Sequence, residues 1–264
     1  MVIMLNNFGK FMYRFTLAVL LGLFIHQVHA QTLAVEKGAP LTVGALASIH
    51  QSAYHVDDKI TAVPLFLYDN NRFYLEGTDA GFYPYKDNKH WVRAGISYDR
   101  QHYNSKDAKT AALQSLNKRQ SSVNAQVSYM YISAIGGIET KLATDILGRS
   151  NGQTVSLAHR SKFELLDNKL TVYPKAGITW HSKKYNDYYY GISDKESLQS
   201  GIHSYDAKAG FSPFVAVSGK YMFTDKIGSF ANVRHDWLSS SQKNSPMTDG
   251  KNETSFNVGL TYDF

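Results

Sequence analysis

Residues 256–264 read FNVGLTYDF. Phe256, Val258, Leu260, Tyr262 and Phe264 fall on one side of an extended chain. Asn257, Gly259, Thr261 and Asp263 fall on the other, because successive side chains of a strand point to opposite faces. A fraying soluble terminus gains nothing from an exposed aromatic ring. In a transmembrane barrel the same ring faces lipid, and the strand shows the one-sided apolar lettering that such a wall requires.

The same lettering recurs upstream. In LTVYPKAGITW, residues 170–180, Leu170, Val172, Pro174, Ala176, Ile178 and Trp180 oppose Thr171, Tyr173, Lys175, Gly177 and Thr179. A mid-strand lysine is costly in a sandwich core and acceptable in a wet lumen. Alternation continues through residues 92–99, 123–131, 138–146 and 211–223, and less cleanly through 227–237, where His235 falls among the apolar places. Polar clusters at 69–71, 86–90, 134–137, 166–169 and 224–226 read as tight turns, whereas 102–121, 183–204 and 239–251 read as long connections. Short and long links therefore alternate.

These features predict an all-β, transmembrane, antiparallel up-and-down barrel of about twelve strands with both termini periplasmic. The strands run over 41–53, 60–69, 71–77, 79–86, 89–101, 122–134, 136–147, 152–165, 169–185, 206–223, 226–240 and 252–264. The segment 71–86 leaves ten strands as the alternative, with GTDAG either a tight turn or a bulge. A soluble all-β fold is the competing reading of the alternation.

Upstream of the barrel, Lys10 and Arg14 precede an eleven-residue apolar run at 15–25 and the small-residue site VHA at 28–30. This reads as a secretory signal over residues 1–30, cut after Ala30, with a barrel domain over 31–264. The run is too short to span a bilayer as a helix. No later stretch is long and apolar enough for a membrane helix, and the mean hydropathy of −0.32 suits a barrel, in which only alternate residues meet lipid. The expected location is the outer membrane of a Gram-negative cell.

Composition narrows the function. There is no cysteine, which removes disulfides, thiolate metal sites and cysteine nucleophiles. Without the signal segment the formal charge is about +4 and spread out. That is a poor basis for binding nucleic acid. No HExxH pattern occurs, and the neighbours His235 and Asp236 point to opposite faces of a strand. No cofactor, metal or catalytic residue is expected.

In the lumen, the face assignment places Arg93, Asp99, Glu139, Lys141, Asp145, Arg160, Lys175, Lys220, Arg234 and Asp236. Two readings stand: a plug of ion pairs formed across neighbouring strands, or a selective charged channel. The eighteen tyrosines suit membrane interfaces, and Trp180, Tyr188, Tyr189, Tyr190 and Trp237 are the expected aromatic rim, with a ligand-binding rim as the alternative. Lys106, Lys109, Lys118 and Arg119, set against Asp107 in the 102–121 connection, read as a solvated loop or, if that loop is outside, as cations lying against lipopolysaccharide phosphates.

Several stretches carry more than periodicity. YYYGISDKESLQSGIHS at 188–204, YDAKAGFSPF at 205–214, NSPMTD at 244–249, NNRFYLEG at 70–77 and the GLTYDF ending together resemble the MipA/OmpV family of outer-membrane proteins. The resemblance implies a non-enzymatic barrel that serves as a scaffold between a lytic transglycosylase, MltA, and a bifunctional penicillin-binding protein. It also implies murein hydrolase and synthase partners, with adhesion or altered sensitivity to cationic antibiotics as roles of other members. A small pore or binder for charged solutes is the alternative that the residues themselves suggest.

Phe256, Val258, Leu260, Tyr262 and Phe264 resemble the carboxyl-terminal signal by which the barrel-assembly machinery selects its clients. Deleting Phe264 is expected to lower outer-membrane insertion while export across the inner membrane continues. Quantitative blotting of membrane fractions checks it, and equal yields of the shortened and complete chains would contradict it.

Overall fold

The computed structural model describes residues 39–264; the signal segment expected at 1–30 lies outside them. The strands are β1 (Ala39–Gln51), β2 (Lys59–Asp69), β3 (Phe73–Glu76), β4 (Asp79–Lys86), β5 (His90–Asp99), β6 (Ser122–Ser133), β7 (Gly136–Asp145), β8 (Gln153–Arg160), β9 (Phe163–Leu165), β10 (Leu170–His181), β11 (Gly210–Met222), β12 (Ile227–Trp237) and β13 (Asn252–Asp263). Each pairs antiparallel with its sequence neighbour, and the register from Thr42↔Asp263 to Gln51↔Thr254 joins the first strand to the last. β8 and β9 both pair with β10, and Ser161 N–H donates to Pro174 O between them. They form one stave interrupted at residues 161–162. The result is a closed antiparallel barrel of twelve staves.

Closure follows from the medium. Hydrocarbon offers no hydrogen bonds, so a spanning sheet must satisfy its backbone internally. The outer face then needs apolar side chains only at alternate positions. Leu157, Ile178, Val258, Leu260 and Tyr262 are exposed outward. Val172 and Val217 share that face, set by the registers Val172↔Gly219 and Pro174↔Val217.

The links sort to two ends. Residues 70–72, 87–89, 134–135, 166–169 and 223–226 form short turns at the end that also holds Ala39 and Phe264. Residues 52–58, 100–121, 146–152, 182–209 and 238–251 form the loop end. A further hairpin, β3–β4, stops part-way up the wall. Its turn is Gly77–Thr78, with Gly77 at φ 64°, a conformation that primed two-residue hairpin turns need and that glycine adopts freely. GTDAG is thus a tight turn between two separate strands, which decides for twelve staves over ten.

Where the hairpin meets β5, Gly81 stands opposite Gly95. A Cβ on Gly95 would come within 2.7 Å of the Gly81 Cα, while one on Gly81 would come within 2.8 Å of the Tyr74 hydroxyl. The two glycines admit the Tyr74 ring against the inner wall.

The candidate site: a bridged lumen under a folded cap

All ten charges expected in the lumen lie on the inner face, as the strand registers require. Four of them centre on two glutamates. Glu139 on β7 is 2% exposed and holds Arg93 of β5 on one oxygen and Lys175 of β10 on the other, the latter at 2.8 Å. Glu76 at the tip of β3 takes Arg93 at 3.0 Å and Arg160 of β8 at 3.3 Å. Arg93 also lies over the Tyr74 ring at 5.1 Å and donates to Ser128 Oγ.

The pairing differs from the neighbouring-strand expectation. The direct cross-strand partner of Arg93 is Ser128, and those of Glu139 are Met130 and Ala158. Long side chains therefore reach over an intervening stave. The Glu76–Arg160 pair goes further, from β3 to β8, five steps round a circumference of twelve. Its atoms meet across the bore.

Other charges pair away from these two glutamates, two of the pairs again over intervening staves. Lys141 meets Asp79 at 2.6 Å, and Lys220 meets Asp263 at 2.7 Å beside the Thr42 hydroxyl. Arg234 binds Asp236 two residues along the same strand and stacks 3.9 Å over Phe214. Asp145 accepts the backbone N–H groups of Leu147, Ser150 and Asn151, tying a loop to the rim. Asp99 accepts the N–H of Gln101. Toward the turn end Lys86 lies 4.0 Å over Tyr83 and 4.3 Å over Trp91, and Trp91 packs with Met130 and Ile132 inside the wall. The inward places of Tyr74, Glu76, Asp79 and Lys86 are not legible from alternation, because β3 has only four residues and a register shift between Phe82 and Tyr85 breaks the period of β4.

At the loop end, the long connections carry their own core: Tyr54, Tyr103, Leu113, Leu116, Tyr189, Tyr190, Ile192 and Met247 are buried together. Helices α1 (Ala111–Gln114), α2 (Lys183–Tyr190), α3 (Asp194–Ser200) and α4 (Ser240–Lys243) frame it. Each starts on a hydroxyl that accepts an otherwise unpaired helix N–H: Thr110, Ser182, Ser193 and Ser239. Ser193 and Glu196 form a full capping box, and Gly201 at φ 74° ends α3.

This corrects the aromatic-rim reading of Tyr189 and Tyr190. Strand β10 stops at His181, and the tyrosines lie on α2. Tyr189 is fully buried, and Tyr190 stacks on Tyr54 at 5.3 Å. A helix puts them on different sides of the cap, so Tyr189 and Tyr190 fill its core instead of lining a lipid belt. Trp180 and Trp237 remain on strands with outward side chains.

Arg119, read as a surface cation, is 8% exposed. It donates to both oxygens of Glu196, to the Asn117 carbonyl and to the Gly191 carbonyl. Burial pushes the Glu196 carboxyl up, but the hydrogen bonds and charge of Arg119, with the Ser193 N–H and hydroxyl, hold it at about 2. A cleft of about 510 Å³ opens beside this pair, lined by Tyr188, Ile192, Asp194 and Tyr205 among others. Among the described residues no cluster of His, Asp or Glu is arranged to hold a metal ion.

Comparison with known proteins places this architecture. The family model described as MltA-interacting protein MipA matches residues 43–264. The chain belongs to the MipA family. MltA-interacting protein of Escherichia coli K12 is 29% identical over 224 residues, covering 84% of this chain and 90% of that protein. The Escherichia coli K12 protein YiaT, named for the outer membrane, is 28% identical over 233 residues, covering 88% and 94%. OmpV of Vibrio cholerae is 25% identical over 172 residues, covering 65% and 63%. Among solved structures the NanC porin aligns with a TM-score of 0.43 at 11% identity, over 85% of this chain and all of that one. This MipA-family chain is an outer-membrane β-barrel.

Two outcomes follow from the charges. Glu139→Ala leaves Arg93 and Lys175 without their shared partner, and removing one side of a buried ion pair costs about 3–5 kcal/mol. A lower urea midpoint for the folded barrel in detergent is the readout. For Glu196 the folded value of about 2 lies below the ordinary 4.5, so its stabilisation is complete above about 4.5 and is lost as pH falls toward 2. Pepsin is expected to cut the cap increasingly across that interval, with the effect blunted in Glu196→Gln.

Proposed function

We propose that this protein is a non-enzymatic scaffold that docks murein-remodelling enzymes at the outer membrane. The observation carrying the reading is the extent of the family match: it runs through every stave and every short turn from residue 43 to 264. A relative matched over 90% of its length is named for interaction with MltA. An MltA-like lytic transglycosylase, working with a penicillin-binding protein, is the partner chemistry for this chain.

In this reading the turn end and both termini face the periplasm, and the cap faces outward against lipopolysaccharide. The barrel-assembly machinery inserts the chain through its β13 lettering. Docking falls on the turn end. Three successive turns each present an exposed apolar side chain there: Ile135 at 68%, Leu166 at 63% and Phe223 at 56%. Apolar anchors surrounded by polar turn residues are the usual centre of a protein contact. A lumen bridged from Glu76 to Arg160 favours scaffold over channel, since solute would have to break paired charges to pass.

Cross-linking followed by co-purification tests this. A lytic transglycosylase or penicillin-binding protein is expected with the native chain and should be lost when Ile135, Leu166 and Phe223 are together replaced by Asp. Recovery of neither enzyme from the native chain would overturn the reading. Single-channel steps from the purified barrel in a planar bilayer would favour solute passage instead.

A further inference from the structure

The wall has a lateral notch. Strand β2 extends from Lys59 to Asp69, but its second neighbour, β3, pairs only with Leu67, Tyr68 and Asp69. Above that, Gly77 N–H reaches Phe66 O, and Thr78 O accepts from Tyr98 N–H on β5. The seven residues 59–65, roughly 23 Å of strand at 3.3 Å per residue, have no stave on that side. Overhead, the notch is closed where Val56 bridges Ala108 and Lys59 pairs with Asp107 at 2.7 Å.

The free edge can be read residue by residue. Because Phe66 O faces β3, the backbone groups of Pro64, Ala62 and Ile60 face the same way, into the notch. Among the described residues none bonds to them on that side. The outward side chains here are apolar: Ile60 is 73% exposed and Phe66 44%, with Ile96 and Tyr98 exposed across the gap. The opening therefore lies in the lipid-facing band, where an unpaired edge is tolerated only if something polar covers it.

The edge is graded. Its two donors, Ile60 and Ala62, lie toward the loop end, nearer the head-group level. Pro64, deeper in the band, has no N–H to leave unpaired, which is why proline is accepted on a strand edge. That order matches an amphiphile standing in the leaflet, its polar head against Ile60 and Ala62 and its hydrocarbon below, where Pro64 leaves only a carbonyl unpaired. A second copy is excluded as occupant. Rotation about the membrane normal cannot bring two tilted β2 edges antiparallel, and the graded donors offer no parallel match.

The geometry points to a lateral binding site for an acylated lipid of the surrounding leaflet. Its ester or amide carbonyl oxygens accept from Ile60 and Ala62 N–H, and its chain runs past Pro64 and Phe66 while touching lumen-facing Thr61 and Val63. Among the described residues, this is where hydrocarbon reaches the inner face of the wall.

Fluorescence quenching by phospholipids brominated along the acyl chain tests it in proteoliposomes of the full barrel. Trp91, Trp180 and Trp237 are first changed to Phe. A single tryptophan is then placed at lumen-facing Thr61 (Thr61→Trp), with Val63→Trp as a second probe in case one variant does not fold. Ser156→Trp serves as a lumen-facing control on an intact wall, and Leu157→Trp as an outward control. Loss of emission at 61 or 63 matching Leu157→Trp, with Ser156→Trp unaffected, supports the site. Emission at 61 and 63 as insensitive to brominated lipid as Ser156→Trp overturns it, whether aqueous acrylamide then quenches those positions or not. The first case is a slit holding water only, and the second a sealed wall.

Discussion

Hydrocarbon accepts no hydrogen bonds, and that constraint organises the whole molecule. Each stave must give its N–H and C=O groups to two neighbours, so the first strand has to find the last, and Thr42↔Asp263 through Gln51↔Thr254 supply the closing seam. Once closed, the wall divides the side chains by parity. Val258 and Leu260 go outward because the alternative would place Asn257 and Thr261 in lipid. Among the described residues the constraint is relaxed at the notch beside β2, and the edge there is already reduced by one donor through Pro64.

Closing the sheet creates a second problem inside. A lumen lined by Arg93, Glu139, Arg160 and Lys175 cannot leave them singly desolvated, so the charges converge on Glu139 and Glu76. These contacts link staves that are not neighbours, and the Glu76–Arg160 pair works as a strut across the bore. The cap answers the same requirement differently. Its loops bury tyrosine rings and send the hydroxyl of Tyr54 to the Tyr189 carbonyl and that of Tyr103 to the Leu113 carbonyl, so that a largely polar sequence still has a dry interior.

The two ends are accordingly different surfaces. One is a folded assembly of four connections held by Arg119 and Glu196. The other is a ring of tight turns with Ile135, Leu166 and Phe223 at successive tips. The proposed scaffold role draws on the second, and the proposed lateral lipid site on the wall beneath the first.

Alternation along single strands was enough to read the barrel, the inward charges and the outward faces of residues such as Val172, Ile178 and Val217. Period two is a local property, fixed by the geometry of one extended chain. The turn Gly77–Thr78 was half-legible: glycine marked it, but only pairing of β3 with both neighbours separated a turn from a bulge. The partners of the charges were not legible, since Arg93–Glu139 and Glu76–Arg160 depend on curvature that brings distant staves face to face. Nor was the cap, in which Tyr188, Tyr189 and Tyr190 follow helical spacing and Arg119 is buried by a residue 77 positions away. Sequence alone determined which face the residues of the long, regular strands take, because neighbouring peptide units dictate it. Tertiary structure decided which charges meet, which loops fold and where the wall is left open, because those depend on closing the cylinder.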